Sequence, residues 1–281
     1  MQRSKFSYLQ DIKNDFKFIH IDTSLNPNKK VALEEKIARL KELYEYCHKV
    51  SKKLKKKVFF ELGWESENGE MHDVNELKKF IQEIVEFCKK KKISKPKFIT
   101  LKTGTKVFED RNIGQLYKNF KKKKIFKKKL DHLRECIMIC HKYGFLVKEH
   151  NSDYLSDNFL KLRPKLNIDG VNIAPEFGTL ETKTIMNLQN KVKLKNDQKE
   201  LIKFLVKSKK WNKWTNKNSG ISEKKKAILA GHYMFCSKKF IKLKKKLEVK
   251  LKKDFKIELD TYLQDVLINR ITRIAKSLNL N

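Results

Sequence analysis

The chain has 281 residues, 67 Lys and Arg against 33 Asp and Glu, and a formal net charge of +34. With 40% hydrophobic and 10% aromatic residues it carries enough apolar side chain for a core, which excludes a disordered basic tail. No apolar run approaches the ~20 residues of a membrane span, and the opening MQRSKFSYLQ lacks the apolar stretch of a secretory signal, so a cytoplasmic protein is expected.

Five short runs read as strands: Phe16–Asp22 (FKFIHID), Lys57–Leu62 (KVFFEL), Lys97–Leu101 (KFITL), Phe145–Glu149 (FLVKE) and Gly170–Ala174 (GVNIA). Most are apolar at nearly every residue, as strands covered on both faces are. Helical stretches separate them. Val31–Lys53 carries Leu33, Ile37, Leu40, Leu43 and Cys47 on one stripe, and Val74–Lys91 carries Leu77, Phe80, Ile81, Ile84 and Cys88. Lys129–Tyr143 carries Leu130, Leu133, Cys136, Ile137 and Cys140, with Gly144 placed to end it in a left-handed turn. A further helix is expected near Gly178. This alternation predicts an α/β fold with a parallel sheet. Polar residues gather just past the strands, namely Asp22 and Ser24, Glu65, Lys102 and Thr103, Glu149 to Asp153, and Glu176, where parallel α/β folds place their chemistry. From about Thr179 onward only helical periodicity is legible. The expected division is residues 1–185 for the strand–helix region and 186–281 for a helical region packed on it. A closed parallel barrel needs about eight strands in ~250 residues, and five are legible.

The charge points first to nucleic acid. Only seven of the basic residues are Arg, however, and the Lys runs (Lys55–Lys57, Lys89–Lys92, Lys121–Lys124, Lys244–Lys246) are scattered. Phosphate and base recognition favours the planar Arg fork, so lysine drift on solvated positions is the preferred reading and nucleic acid the alternative. The five Cys (Cys47, Cys88, Cys136, Cys140, Cys236) make no C-x-x-C pair, and all five are expected inside helices as small buried side chains.

Four segments could carry chemistry. KEHNSDYL (Lys148–Leu155) sets His150 and Asp153 just past a strand, as a metal ligand or an acid–base pair. ELGWE (Glu61–Glu65) offers Glu65 as base or ligand, against a solvated loop carboxylate. LKTGT offers Lys102 as nucleophile or phosphate ligand, against one more surface lysine. APEFGT leads into a helix whose first N–H groups suit phosphate near Gly178 and Thr179. His232, Trp211 and Trp214 read as packing residues.

In this order the strand-end motifs resemble the family of the non-catalytic subunit of class II D-tagatose-bisphosphate aldolase, some of whose members resemble tagatose 6-phosphate 4-epimerases. FKFIHIDTS is similar to its K-x-I-H-L-D-x-S strand, FELGWE to its I-G-T-E strand with Glu65 on the Glu, and KTGTKVFEDRNI to its P-G-V-E-F-x-x-x-N-I segment. KEHNSDYL is close to E-A-H-S-T-D-Y, with His150, Asp153 and Tyr154 matching, and VNIAPEFGTLET resembles K-V-G-P-A-L-T. Trp64 stands where the family has Thr, and Glu176–Phe177 alter the last segment. The resemblance implies a partial TIM (β/α) barrel holding family strands four to eight, shortened at the N-terminal side, where a G-D-H segment has no counterpart. It implies Asp22, Glu65 and Asp153 as catalytic residues, and Glu65 with His150 around a divalent metal such as zinc. Lys102, Asn151, Gly178 and Thr179 would bind a sugar phosphate. The partner would be a catalytic class II aldolase subunit or a second copy, and epimerase turnover by this chain alone would be low. No membrane partner is implied.

Overall fold

The structure is a computed structural model that describes residues 2–24, 32–64, 68–216 and 220–280. In chain order it begins with α1 (Gln2–Lys13), β1 (Phe18–Asp22), α2 (Leu33–Lys53), β2 (Phe59–Gly63), α3 (Val74–Lys91) and β3 (Phe98–Leu101). A small antiparallel hairpin follows, β4 (Val107–Phe108) on β5 (Arg111–Asn112), then α4 (Gln115–Lys118), α5 (Lys123–Lys142) and β6 (Leu146–Glu149). Two short helices, α6 (Asp157–Leu160) and α7 (Leu162–Lys165), lead to β7 (Gly170–Val171). The rest is helical: α8 (Pro175–Lys191), α9 (Lys195–Lys207), α10 (Glu223–Ala230), α11 (Lys238–Phe255) and α12 (Leu259–Ser277). Among the described residues no helix is long and apolar enough to cross a membrane.

Chain contacts divide these elements into two compact units. The first comprises Met1–Lys106, Ile113–Asn151 and Arg163–Asn172; the second comprises Val107–Asn112, Ser152–Leu162 and Ile173–Asn281. The hairpin and the segment after β6 therefore group with the C-terminal helices.

In the first unit five strands form one parallel sheet in the order β1-β2-β3-β6-β7. Partners across parallel strands share a face, so the register sorts every side chain. Ile19, Ile21, Leu62, Ile99, Leu101 and Val147 lie on one face and are buried. This is the helix side: the Phe60 ring meets Tyr44 of α2 edge-on at 5.3 Å, and Trp64 stacks on Phe80 of α3 at 3.6 Å. The expected helical stripes supply the other half of this core, Ile37, Leu40, Leu43 and Cys47 from α2 and Leu77, Phe80, Ile81 and Ile84 from α3. Asp73 caps α3 by accepting from the Asn75 and Glu76 amides at 2.9 and 3.0 Å. After α5, Gly144 takes φ +77° and donates to His141 O at 2.8 Å, a left-handed exit that a Cβ would strain.

The opposite face is layered. Phe18, Phe59 and Phe98 form an aromatic row near the strand starts, with Phe18–Phe59 centroids 5.2 Å apart and Phe18 54% exposed. His20, Glu61, Thr100 and Lys148 form the next layer. Among the described residues β1 pairs only with β2 and β7 only with β6, so each leaves a strand edge unpaired.

The second unit encloses its own core from α8 to α12, with Ile185, Met186, Leu201, Leu205, Phe240, Leu247 and Leu251 buried together. Trp211 packs on it and donates Nε1–H to Val206 O at 3.0 Å, the packing role expected for that residue. Four cysteines are buried in helices as expected. Cys236 is the exception: it is exposed and sits in the turn before α11, because Ser237 caps that helix and ends the helical register on its N-terminal side. Burial pushes the Cys47, Cys136 and Cys140 thiols up to about 12, which makes them inert packing groups.

Candidate functional site

The polar layer of the sheet gathers chemistry-bearing side chains from three strands of the first unit. Glu61 lies mid-strand on β2 and is 5% exposed. Its two oxygens accept from Lys148 Nζ at 2.9 and 2.7 Å, and a ring nitrogen of His20 faces the same carboxylate. Burial pushes the Glu61 carboxyl up, but the hydrogen bonds from His20 and Lys148 outweigh it and hold its pKa below the ordinary glutamate value. The other ring nitrogen of His20 lies 4.0 Å from Asp22 and has no hydrogen-bond partner among the described residues. The His150 ring sits 5.3 Å from that of His20. Thr100, fully buried in the same layer, has a hydroxyl with no partner among the described residues.

Strand parity produces this grouping. His20 on β1, Glu61 on β2 and Lys148 on β6 fall on one face because β1 pairs His20 with Glu61, and β3 pairs Phe98 with both Glu61 and Leu146. Glu149, one residue on, points to the helix side, where it is fully buried and meets the buried Arg163 through two hydrogen bonds of 2.8 and 2.9 Å. KEH therefore contributes two groups to the polar face and one ion pair to the core.

The sequence-based site residues divide between the units. Asp22 and His150 adjoin His20. Lys102 is half-buried past the end of β3, and its charge adds to the burial that drives the His72 imidazole down to about 3. Asn151 takes a left-handed turn with φ +61° directly after His150, a conformation Asn tolerates. Glu65 lies outside the described residues. Asp153, Gly178 and Thr179 belong to the second unit. There Asp153 accepts from the Ala174 and Glu176 amides at 3.0 and 2.8 Å, and burial pushes its carboxyl up to about 6 against those two hydrogen bonds. Two amides at the start of α8, where a phosphate was expected, are thus engaged by a side chain of the same unit. Gly178 packs under the His232 ring, where a Cβ would collide, and the Thr179 hydroxyl pairs with Tyr154 Oη at 2.8 Å. Among the described residues no group of three or more His, Cys, Asp or Glu is placed to hold a metal ion. His20, Glu61, Thr100 and Lys148 were missed as site residues. The sequence signals for His20 were the period-two spacing of Phe18, His20 and Asp22 and its place on the His of the K-x-I-H-L-D-x-S pattern.

The fold is a known one. The chain is similar to a probable tagatose 6 phosphate kinase from Sinorhizobium meliloti, with a TM-score of 0.64 and 13% identity over 96% of this chain and 69% of that one. It is also similar to a fructuronate-tagaturonate epimerase from Cohnella laeviribosi, in a glycerol complex with a TM-score of 0.59 and 10% identity over 100% of this chain and 60% of the epimerase. The native structure of that epimerase gives 0.57 and 9% over 100% of this chain and 58% of the other. The chain therefore spans less than two thirds of the epimerase. The sequence matches no family model and no curated protein.

Proposed function

We propose that this chain is a carbohydrate-metabolism protein built on part of a (β/α) barrel, with the polar face of its sheet as the barrel interior and a small ketose phosphate or sugar acid as its ligand. The observation that carries this reading is the His20–Glu61–Lys148 cluster, set on the face of a parallel sheet that a barrel would enclose. The similarity in fold to a fructuronate-tagaturonate epimerase supports the ligand class, and the family resemblance of the strand-end motifs points the same way.

In this reading Glu61 fixes the His20 ring through one nitrogen and leaves the other to take a proton from a carbon next to a ketose carbonyl. The Lys148 ammonium offsets the negative charge that develops on the carbonyl oxygen. Asp22, 4.0 Å from His20, helps hold the protonated ring. A divalent ion on Glu65 and His150 would polarise that carbonyl, but the described residues hold no set that fits one. In the aldolase-subunit version of the proposal, the same face supports a catalytic subunit or a second copy of this chain.

The test is solvent-proton exchange into tagatose 6-phosphate in D2O, followed by NMR with the purified chain. Slow exchange at the carbon beside the carbonyl is expected, with little net epimerisation, and it should disappear in His20→Ala. Robust turnover would overturn the partial-barrel element of the proposal. An absence of both exchange and binding would overturn the acid–base element.

A further inference from the structure

The second unit holds a cavity of about 360 Å³ that uses none of the sheet residues. It is lined by Asp110, Tyr154, Glu176, Thr179, Leu180, Lys183, Lys225, Ile228 and Arg270. That volume is at the small end of ligand pockets, which run from ~300 to ~1,000 Å³, and suits a molecule of monosaccharide size.

Its chemistry is uneven in a useful way. Lys183, Lys225 and Arg270 line it with Asp110 and Glu176, and Glu109 adjoins Lys225, so the opposite charges are spread unevenly between the three cations. Lys225 is engaged by Asp110 and lies 3.8 Å from Glu109. Arg270 donates one N–H to the buried Glu176 at 2.6 Å, which leaves the rest of its donor fork unspent among the described residues. Lys183, one helical turn along α8 from Thr179, has no hydrogen-bond or ion-pair partner among the described residues. Thr179 Oγ1 donates to Glu176 O at 3.0 Å and accepts from Tyr154 Oη at 2.8 Å, so the two hydroxyl oxygens can accept from ligand hydroxyls. Leu180 and Ile228 supply the apolar part of the lining. An anionic end, several hydroxyls and one carbon face are what such walls would match.

We propose that this pocket binds a small anionic polyol, a sugar acid or a phosphorylated sugar or glycerol, with Arg270 and Lys183 holding the anion and the Tyr154–Thr179 pair holding hydroxyls. The side chains would hold the anion, since Asp153 already takes the Ala174 and Glu176 amides at the start of α8. The inference stands on its own residues and survives a failure of the sheet-face reading.

The test is calorimetric titration of the full chain with three probes: gluconate, glycerol 3-phosphate and the neutral polyol sorbitol. At least one of the two anions should bind about tenfold or more tighter than sorbitol, and which one does so identifies the anionic group. Lys183→Glu and the pocket-filling Ile228→Trp should each weaken that binding about tenfold or more. Lys128→Glu, an equal charge change in the first unit, should leave it within about twofold. Binding of no anion, equal binding of sorbitol, or weakening by Lys128→Glu equal to that by Lys183→Glu would each overturn the proposal. The last result would mean that the anions follow overall charge alone.

Discussion

The two faces of the five-stranded sheet treat buried charge in opposite ways. On the helix side the Glu149–Arg163 pair is sealed at 0% and 1% exposure in a largely apolar core, with both carboxylate oxygens engaged. On the other face Glu61 is nearly as buried, yet its partners Lys148 and His20 are half-open, with side chains 22% and 28% exposed. A sealed pair is a fixed structural element, because neither ion has water to fall back on. A carboxylate held between a lysine and a histidine that still reach solvent can exchange protons with it, and the proposal that places the chemistry on the second face rests on this difference.

The comparison breaks most readily at Arg163. Arg163→Met should destabilise the fold by about 3–5 kcal/mol, because it strands a buried carboxylate. Adding Glu149→Leu should recover most of that loss, as read by urea midpoints. Failure of the double variant to recover would mean the pair has a role beyond compensating itself. Ile21→Ala, at a fully buried helix-side position, should cost about 2–5 kcal/mol on the same assay.

On the polar face the expected effects are smaller and depend on pH. The folded-state pKa of Glu61 is depressed, so the pair stabilises the fold above the unfolded carboxyl value of about 4.3 and loses that contribution as pH falls through the folded value. Glu61→Gln should therefore lower the melting temperature near pH 7 and flatten its decline in acid. A variant whose acid limb stays as steep as the parent's would remove Glu61 from the account. Smallest of all, Phe18→Ser should change stability by less than about 0.5 kcal/mol, since the ring is 54% exposed and surface changes fall in that range. A loss comparable to that of Ile21→Ala would mean that the aromatic row is covered in solution.

The sequence carried the order of elements well. All five strand runs overlap observed strands, and α3 spans Val74–Lys91 as its apolar stripe predicts. Parity was not legible, because an apolar run without alternation does not say which face a given side chain takes. His20, Glu61 and Lys148 meet only once three strands from across the first unit are set in register. For the same reason the polar string after β6 read as one cluster, although it sends Glu149 into the core and Asp153 to the start of α8. The hairpin strands, two residues each, are too short to leave a periodic trace. In α1, Ile12 alone is buried, so its sequence showed little amphipathic stripe. α5 begins at Lys123, ahead of the expected Lys129, because lysines extend a helix readily without marking an apolar face.

The exposed row of Phe18 and its neighbours, beside the unpaired edge of β1, also has a colloidal consequence. Such an edge invites another copy to add its own strand, yet a chain of net charge +34 meets every copy of itself with repulsion. Around physiological ionic strength that repulsion reaches only about 8 Å, and about 3 Å in molar salt. The lysines scattered along the chain thus act as a dispersant for a surface that would otherwise self-associate, and the protection fades as salt is added.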